Sequence, residues 1–97
     1  MELWTRQEGV TPIWCRDEHA LWRRSGATVV LSAPLHDEVV LLEGTAALTW
    51  ELLAERIDED ELVAPIADHF SVDGQQVREQ LTAFLEGLLE YGAVRRT

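Results

Sequence analysis

Residues 39–50 read V-V-L-L-E-G-T-A-A-L-T-W, and the reading of this stretch decides the fold. Val39, Val40, Leu41 and Leu42 are consecutive and apolar. Successive side chains of a strand point to opposite sides, so this is a strand with no wet face. The chain then turns at once into a helix, with Thr45 placed after Gly44 as a candidate N-cap. Ala46, Ala47, Leu48, Trp50, Leu52 and Leu53 spread round that helix as far as about Glu55, which predicts a central element. One face of the apolar strand serves the core. The other needs a cover.

Upstream, two β-prone segments, Ala20 to Arg24 and Thr28 to Ser32, are separated by Ser25-Gly26, which reads as a hairpin turn. Pro34 and His36-Asp37 mark a second connection, and Glu38 to Leu42 supplies the third strand. Residues 1–18, with Pro12, Trp4, Ile13 and Trp14, are irregular by pattern. They hold a short strand or drape over the core, and residues 19–97 form the domain proper. Downstream, Asp58 and Glu61 make a capping box for a second helix. Leu62, Val63, Ile66, Ala67 and Phe70 recur on one face of it, and Pro65 interrupts it. Asp73 caps a third helix, with Gln76 at the reciprocal position. Val77, Leu81, Phe84, Leu85 and Leu88 form its stripe, Gly92 stops it, and Val94 tucks back. The predicted class is α+β, a three-stranded antiparallel sheet followed by three helices.

The composition fits one folded domain. The chain has 97 residues, of which 46% are hydrophobic, enough for one core and hardly for two. No apolar stretch reaches membrane-spanning length, and M-E-L-W-T-R-Q-E does not read as a signal peptide. The single cysteine, Cys15, rules out an internal disulfide and reads as an inert, buried thiol. Both features fit a cytoplasmic protein. Eighteen acidic against eight basic residues give a net charge of −10, a field that repels phosphate backbones. Arg23-Arg24 and Arg95-Arg96 read as isolated doublets rather than a basic stripe. A neutral or basic polypeptide suits the field better than nucleic acid.

Chemistry is hard to assemble from these residues. His19, His36 and His69 have no ligand spacing with one another or with Cys15, and no cofactor or metal is predicted. Phosphate loops, nucleophile elbows and HExxH are absent. Helix capping accounts for Asp58, Glu59, Asp60 and Glu61, and Glu86 and Glu90 are the wet side of the third helix. Catalysis needs several groups held in tuned environments, and no such set is visible. What remains is shape. The second face of V-V-L-L is closed by the protein's own elements, by a second copy, or by a peptide that adds a strand along the edge.

The order of elements resembles the PqqD-like family of peptide-recognition domains. The resemblance is carried by V-V-L-L-E-G-T-A-A-L-T-W-E-L-L, by E-L-V-A-P-I-A-D-H-F and by V-R-E-Q-L-T-A-F-L-E-G-L-L-E-Y-G-A-V, over about Leu21 to Val94. It implies a winged-helix-like fold that binds the leader region of a ribosomally made precursor peptide. It also implies a non-catalytic role, presenting that leader to a leader peptidase or modifying enzyme, as in lasso-peptide or pyrroloquinoline quinone synthesis. Carried onto this chain, strand contacts fall on Glu38, Val39, Val40, Leu41 and Leu42. The helical wall falls on the exposed side of the third helix, around Arg78, Leu81, Thr82 and Leu85. Arg78 is placed to meet an acidic leader side chain or a surface ion pair. Many relatives carry Asn where this chain has Glu43, so its turn is expected to be held differently. The competing readings are a winged-helix DNA-binding regulator, which requires a basic helix face, and a homodimer closed through the apolar strand.

Overall fold

The computed structural model describes residues 12–33 and 36–97. The expectations placed on Trp4, on the first residues and on Pro34 lie outside the described residues. Two small antiparallel sheets enclose a core with three helices: β1 (Ile13–Arg16), β2 (Leu21–Ser25), β3 (Thr28–Ser32), β4 (Val40–Leu42), α1 (Thr45–Leu52), β5 (Ile57–Asp58), α2 (Glu59–Phe70), α3 (Gly74–Tyr91) and β6 (Val94–Arg96).

The predicted sheet is present, with strand order β2-β3-β4. Ser25 pairs with Thr28, so the hairpin loop is Gly26-Ala27. Gly26 takes φ +62°, a conformation that a tight hairpin asks of its first central residue and that glycine adopts without steric cost. Val29 and Leu31 of β3 are buried, and they pair with Leu42 and Val40 of β4. The apolar run therefore alternates after all. Leu42 is 3% exposed and belongs to the core, whereas Leu41 is 62% and Val39 57% exposed.

At the β4–α1 junction Gly44, not Thr45, is the N-cap. Its φ of +58° and ψ of −126° suit glycine, and no side chain caps the helix. Thr45 is already helical, and the Thr49 hydroxyl donates to its carbonyl at 2.8 Å. Ala47, Thr49, Trp50 and Leu53 are buried, as a central helix requires. The capping box of α2 forms as the sequence predicts: the Asp58 carboxylate accepts from the helix start, and Glu61 accepts from the Asp58 amide at 3.1 Å. Leu62 and Ile66 are buried, while Pro65 stays on the exposed side. The Asp73 carboxylate accepts from the Gln76 amide at 3.3 Å, and α3 buries Val77, Leu81, Leu85 and Leu88 before Gly92 ends it.

The second sheet corrects the predicted strand count. Its order is β5-β1-β6, so the helices are followed by a returning strand and the single-sheet description is incomplete. Of the two readings for the N-terminal segment, the described part forms a strand, with Trp14 buried at its centre. Val94 tucks back as expected and goes further, pairing with Arg16 as the first residue of β6. Four residues in β1, two in β5 and three in β6 are too short for a periodic signal, and only their long-range pairing makes them strands. Among the described residues, no helix is long and apolar enough to cross a membrane.

Candidate functional site

The site begins with an edge. β4 ends the β2-β3-β4 order, so its far side meets no strand among the described residues. An exposed edge presents unpaired N–H and C=O groups to any extended chain. Leu41 pairs with Val30 and stands on the outer face, and Val39, just before the strand, is exposed as well.

α3 flanks this edge. At one end the Tyr91 hydroxyl donates to the Glu38 carbonyl and lies 3.3 Å from that of Leu31, and its ring stacks on His36 at 5.0 Å. Beyond the other end of β4, Ala46 of α1 shares a pocket of about 470 Å³ with Phe70, Val72, Gln80, Leu81 and Phe84. The helix therefore runs alongside the β4–α1 segment, from Glu38 past the end of the strand. The cavity is lined by α1, α2, α3 and the α2–α3 connection, and is large enough for an aromatic or long aliphatic side chain.

The strand residues of the sequence-predicted site fall together. Glu38 offers its backbone to Tyr91, Val39 and Leu41 are exposed, Val40 is half-buried and Leu42 is core. The helical residues do not form an exposed wall, and this corrects the expectation. Leu85 is fully buried, and Leu81 is buried at the pocket floor, because their stripe is the one that packs α3 into the core. Arg78 forms an ion pair with Asp60 of α2. The Thr82 hydroxyl donates to Glu59 Oε2 at 2.6 Å, so both turn toward α2. On α3 the residues that line the pocket beside Leu81 include Gln80 and Phe84, and Tyr91 is the one that reaches Glu38; none of the three was among the sequence-predicted site residues. Their spacing of four and then seven places them on one helical face, and that was the signal available.

Two further contacts explain how the site is held. Glu43 accepts from the Thr28 hydroxyl at 3.0 Å, so the residue that departs from the family pattern ties the turn after β4 back to β3. Glu59 is a buried carboxylate at the first turn of α2, where the helix dipole favours negative charge. It accepts from Trp14 Nε1 at 2.9 Å as well as from Thr82. This joins β1, α2 and α3 at one buried point. Among the described residues, no group of three or more His, Cys, Asp or Glu is placed to hold a metal ion.

An open strand edge, with a helix reaching its start and an apolar pocket beyond the strand's end, suits a small peptide-binding scaffold. The family model for coenzyme PQQ synthesis protein D (PqqD) matches residues 28–94, and the chain belongs to the PqqD family. The match begins with β3 and closes at the first residue of β6, so it takes in β4, the pocket and all of α3. No curated protein and no solved structure gives a significant match.

Proposed function

We propose that this protein captures the leader region of a ribosomally synthesised precursor peptide and presents it to a leader peptidase or modifying enzyme. Lasso-peptide synthesis or a related cytoplasmic pathway is the setting this reading favours. The protein acts by binding and contributes no catalytic group. The leader adds as a strand along β4, over Glu38 to Leu42, with alternate side chains against Val39 and Leu41. One apolar residue of the leader enters the pocket floored by Leu81. Thr82 and Leu85 support the helix from within, and Arg78 meets an acidic leader side chain only by leaving Asp60. The arrangement of β4 beside the helices is read as winged-helix-like.

The observation that carries this reading is the open edge of β4, with two large aliphatic side chains exposed beside it. Capture raises the effective concentration of the substrate at the partner enzyme without new chemistry. A second copy pairing through the same edge would compete with the leader, so self-association and peptide binding should oppose each other. The test is a titration of labelled precursor leader against the wild-type chain and against Leu41→Asp and Phe84→Asp. Both variants should bind at least about tenfold more weakly, since each sets a charge against an apolar leader contact. Unchanged affinity in both would refute the groove. Leu85→Asp is unsuitable because it buries a charge in the core.

A further inference from the structure

The second sheet gathers charge of the sign opposite to that of the whole molecule. In a chain of net charge −10 all eight basic residues are arginine. Four of them, Arg16, Arg56, Arg95 and Arg96, line one pocket of about 500 Å³ beside Cys15 and Thr97. The doublet Arg95-Arg96, isolated in sequence, is thus half of a cluster. Strand register is the cause. Cys15 pairs with Arg95 on one side, and extending the Trp14–Ile57 pairing by one residue sets Arg56 across from Cys15 on the other.

The remaining two guanidinium groups are held by aromatic rings. Arg16 lies 4.5 Å from the Trp22 ring and 4.7 Å from that of Trp50, and it donates to the Trp50 carbonyl at the end of α1 through Nε at 3.1 Å and Nη2 at 2.6 Å. Arg96 lies 5.5 Å from the Trp14 ring. Such contacts keep a cation in place without neutralising it. Burial lowers the pKa of Arg16 from its ordinary value, and an arginine remains charged all the same. Among the described residues, the ion pairs join Arg24 to Glu51, Arg78 to Asp60, and His19 to Asp17 and Glu18. None involves the four pocket arginines. The Asp17 carboxyl, held low chiefly by the His19 backbone amide, also feels the charge of Arg95, and Asp58, Asp60 and Glu61 border Arg56 on the β5 side.

We propose that this pocket is a docking site for an acidic segment of a partner polypeptide, with carboxylate side chains received by Arg16, Arg56, Arg95 and Arg96. Guanidinium forks match carboxylates in bidentate geometry, and a carboxylate relieves the repulsion among the gathered charges. A polypeptide fits better than an extended polyanion, because nucleic acid would run from the pocket onto the acidic remainder of the surface. β6 is moreover an edge strand of its sheet, so an extended segment can lie beside it and direct alternate side chains into the pocket. The site belongs to a different sheet from the β4 edge, so both can be occupied together. It does not depend on what binds at β4.

The test is fluorescence anisotropy of a labelled short polyglutamate peptide with the whole chain, beside a polyglutamine peptide of equal length. Polyglutamate should bind, progressively less as salt is added, and polyglutamine should bind at least about tenfold more weakly. Arg56→Gln and Arg95→Gln, both at exposed positions, should each lower polyglutamate affinity by about tenfold, the loss of one charge-assisted hydrogen bond. Their melting temperature should not change. Leu41→Asp should bind polyglutamate as the wild type does, which separates this site from the groove at β4. Equal binding of the two peptides, failure of polyglutamate to bind, or unaltered affinity in both arginine variants would overturn the proposal. So would loss of binding in Leu41→Asp, or saturable binding of inorganic phosphate by a chain that ignores polyglutamate.

Discussion

Adjacent leucines of β4 should separate binding from stability. Leu41 is 62% exposed and Leu42 3%, although they are chemically identical neighbours. Full burial of a leucine side chain is worth about 1.5–3 kcal/mol. A peptide that covers Leu41 therefore gains roughly three-fifths of that, about 1–2 kcal/mol. Leu41→Ala forfeits most of this gain, so leader affinity should fall by about five- to tenfold. The free chain loses little packing, and its unfolding free energy should change by less than about 0.5 kcal/mol. Leu42→Ala should do the reverse, removing about 2–5 kcal/mol of stability through the cavity it leaves. The two measurements are isothermal titration with the precursor leader and urea denaturation of the free proteins. Unchanged leader affinity in Leu41→Ala, or a loss of stability in it as large as that of Leu42→Ala, would refute the assignment of an outer and an inner face to this strand.

The buried contacts of Glu59 make a second prediction: Thr82→Val removes one of its two side-chain donors and should lower unfolding free energy by about 1–3 kcal/mol, read from the urea midpoint. The third concerns acid. The Asp17 carboxyl is held below its ordinary value chiefly by the His19 backbone amide, which donates to it at 2.7 Å. A depressed folded-state pKa adds stability that is fully present above the unfolded value and lost as pH falls through the folded one. Asp17→Asn should therefore flatten the decline of melting temperature below about pH 4 while costing most near neutrality. An identical acid limb in variant and wild type would remove Asp17 from the account.

Much of the fold near the site was legible in the sequence because it is decided locally. The tight turn at Gly26, the capping box at Asp58 and Glu61, the cap at Asp73 and the stop at Gly92 each depend on residues within a few positions of one another. Capping at Thr45 failed for an equally local reason: the backbone at Gly44 takes a conformation suited to glycine and makes that residue the cap. The strand residues of the candidate site do lie at a sheet edge, with Val39 and Leu41 exposed. The helical residues are turned into the core or toward α2, because an apolar stripe shows that a helix has an inner face without saying which flank lies outward. Phe84 belongs to the apolar stripe by spacing, and only the tertiary structure places it in the pocket with Ala46 and Phe70.

By itself the sequence determined the β2-β3-β4 strands, the three helices that follow them, the acidic balance and the apolar character of β4, since each follows from residue type and short-range spacing. Only the tertiary structure decided that Leu42 points inward while Leu41 is left open. It also paired Ile13–Arg16 with Val94–Arg96 across nearly the whole chain, which set Arg95 beside Cys15 and placed Trp14 within reach of Glu59. The physical reason is that strand pairing and burial are set by packing between distant segments. A four-residue strand at one end and a three-residue strand at the other carry no periodic signal that predicts their meeting.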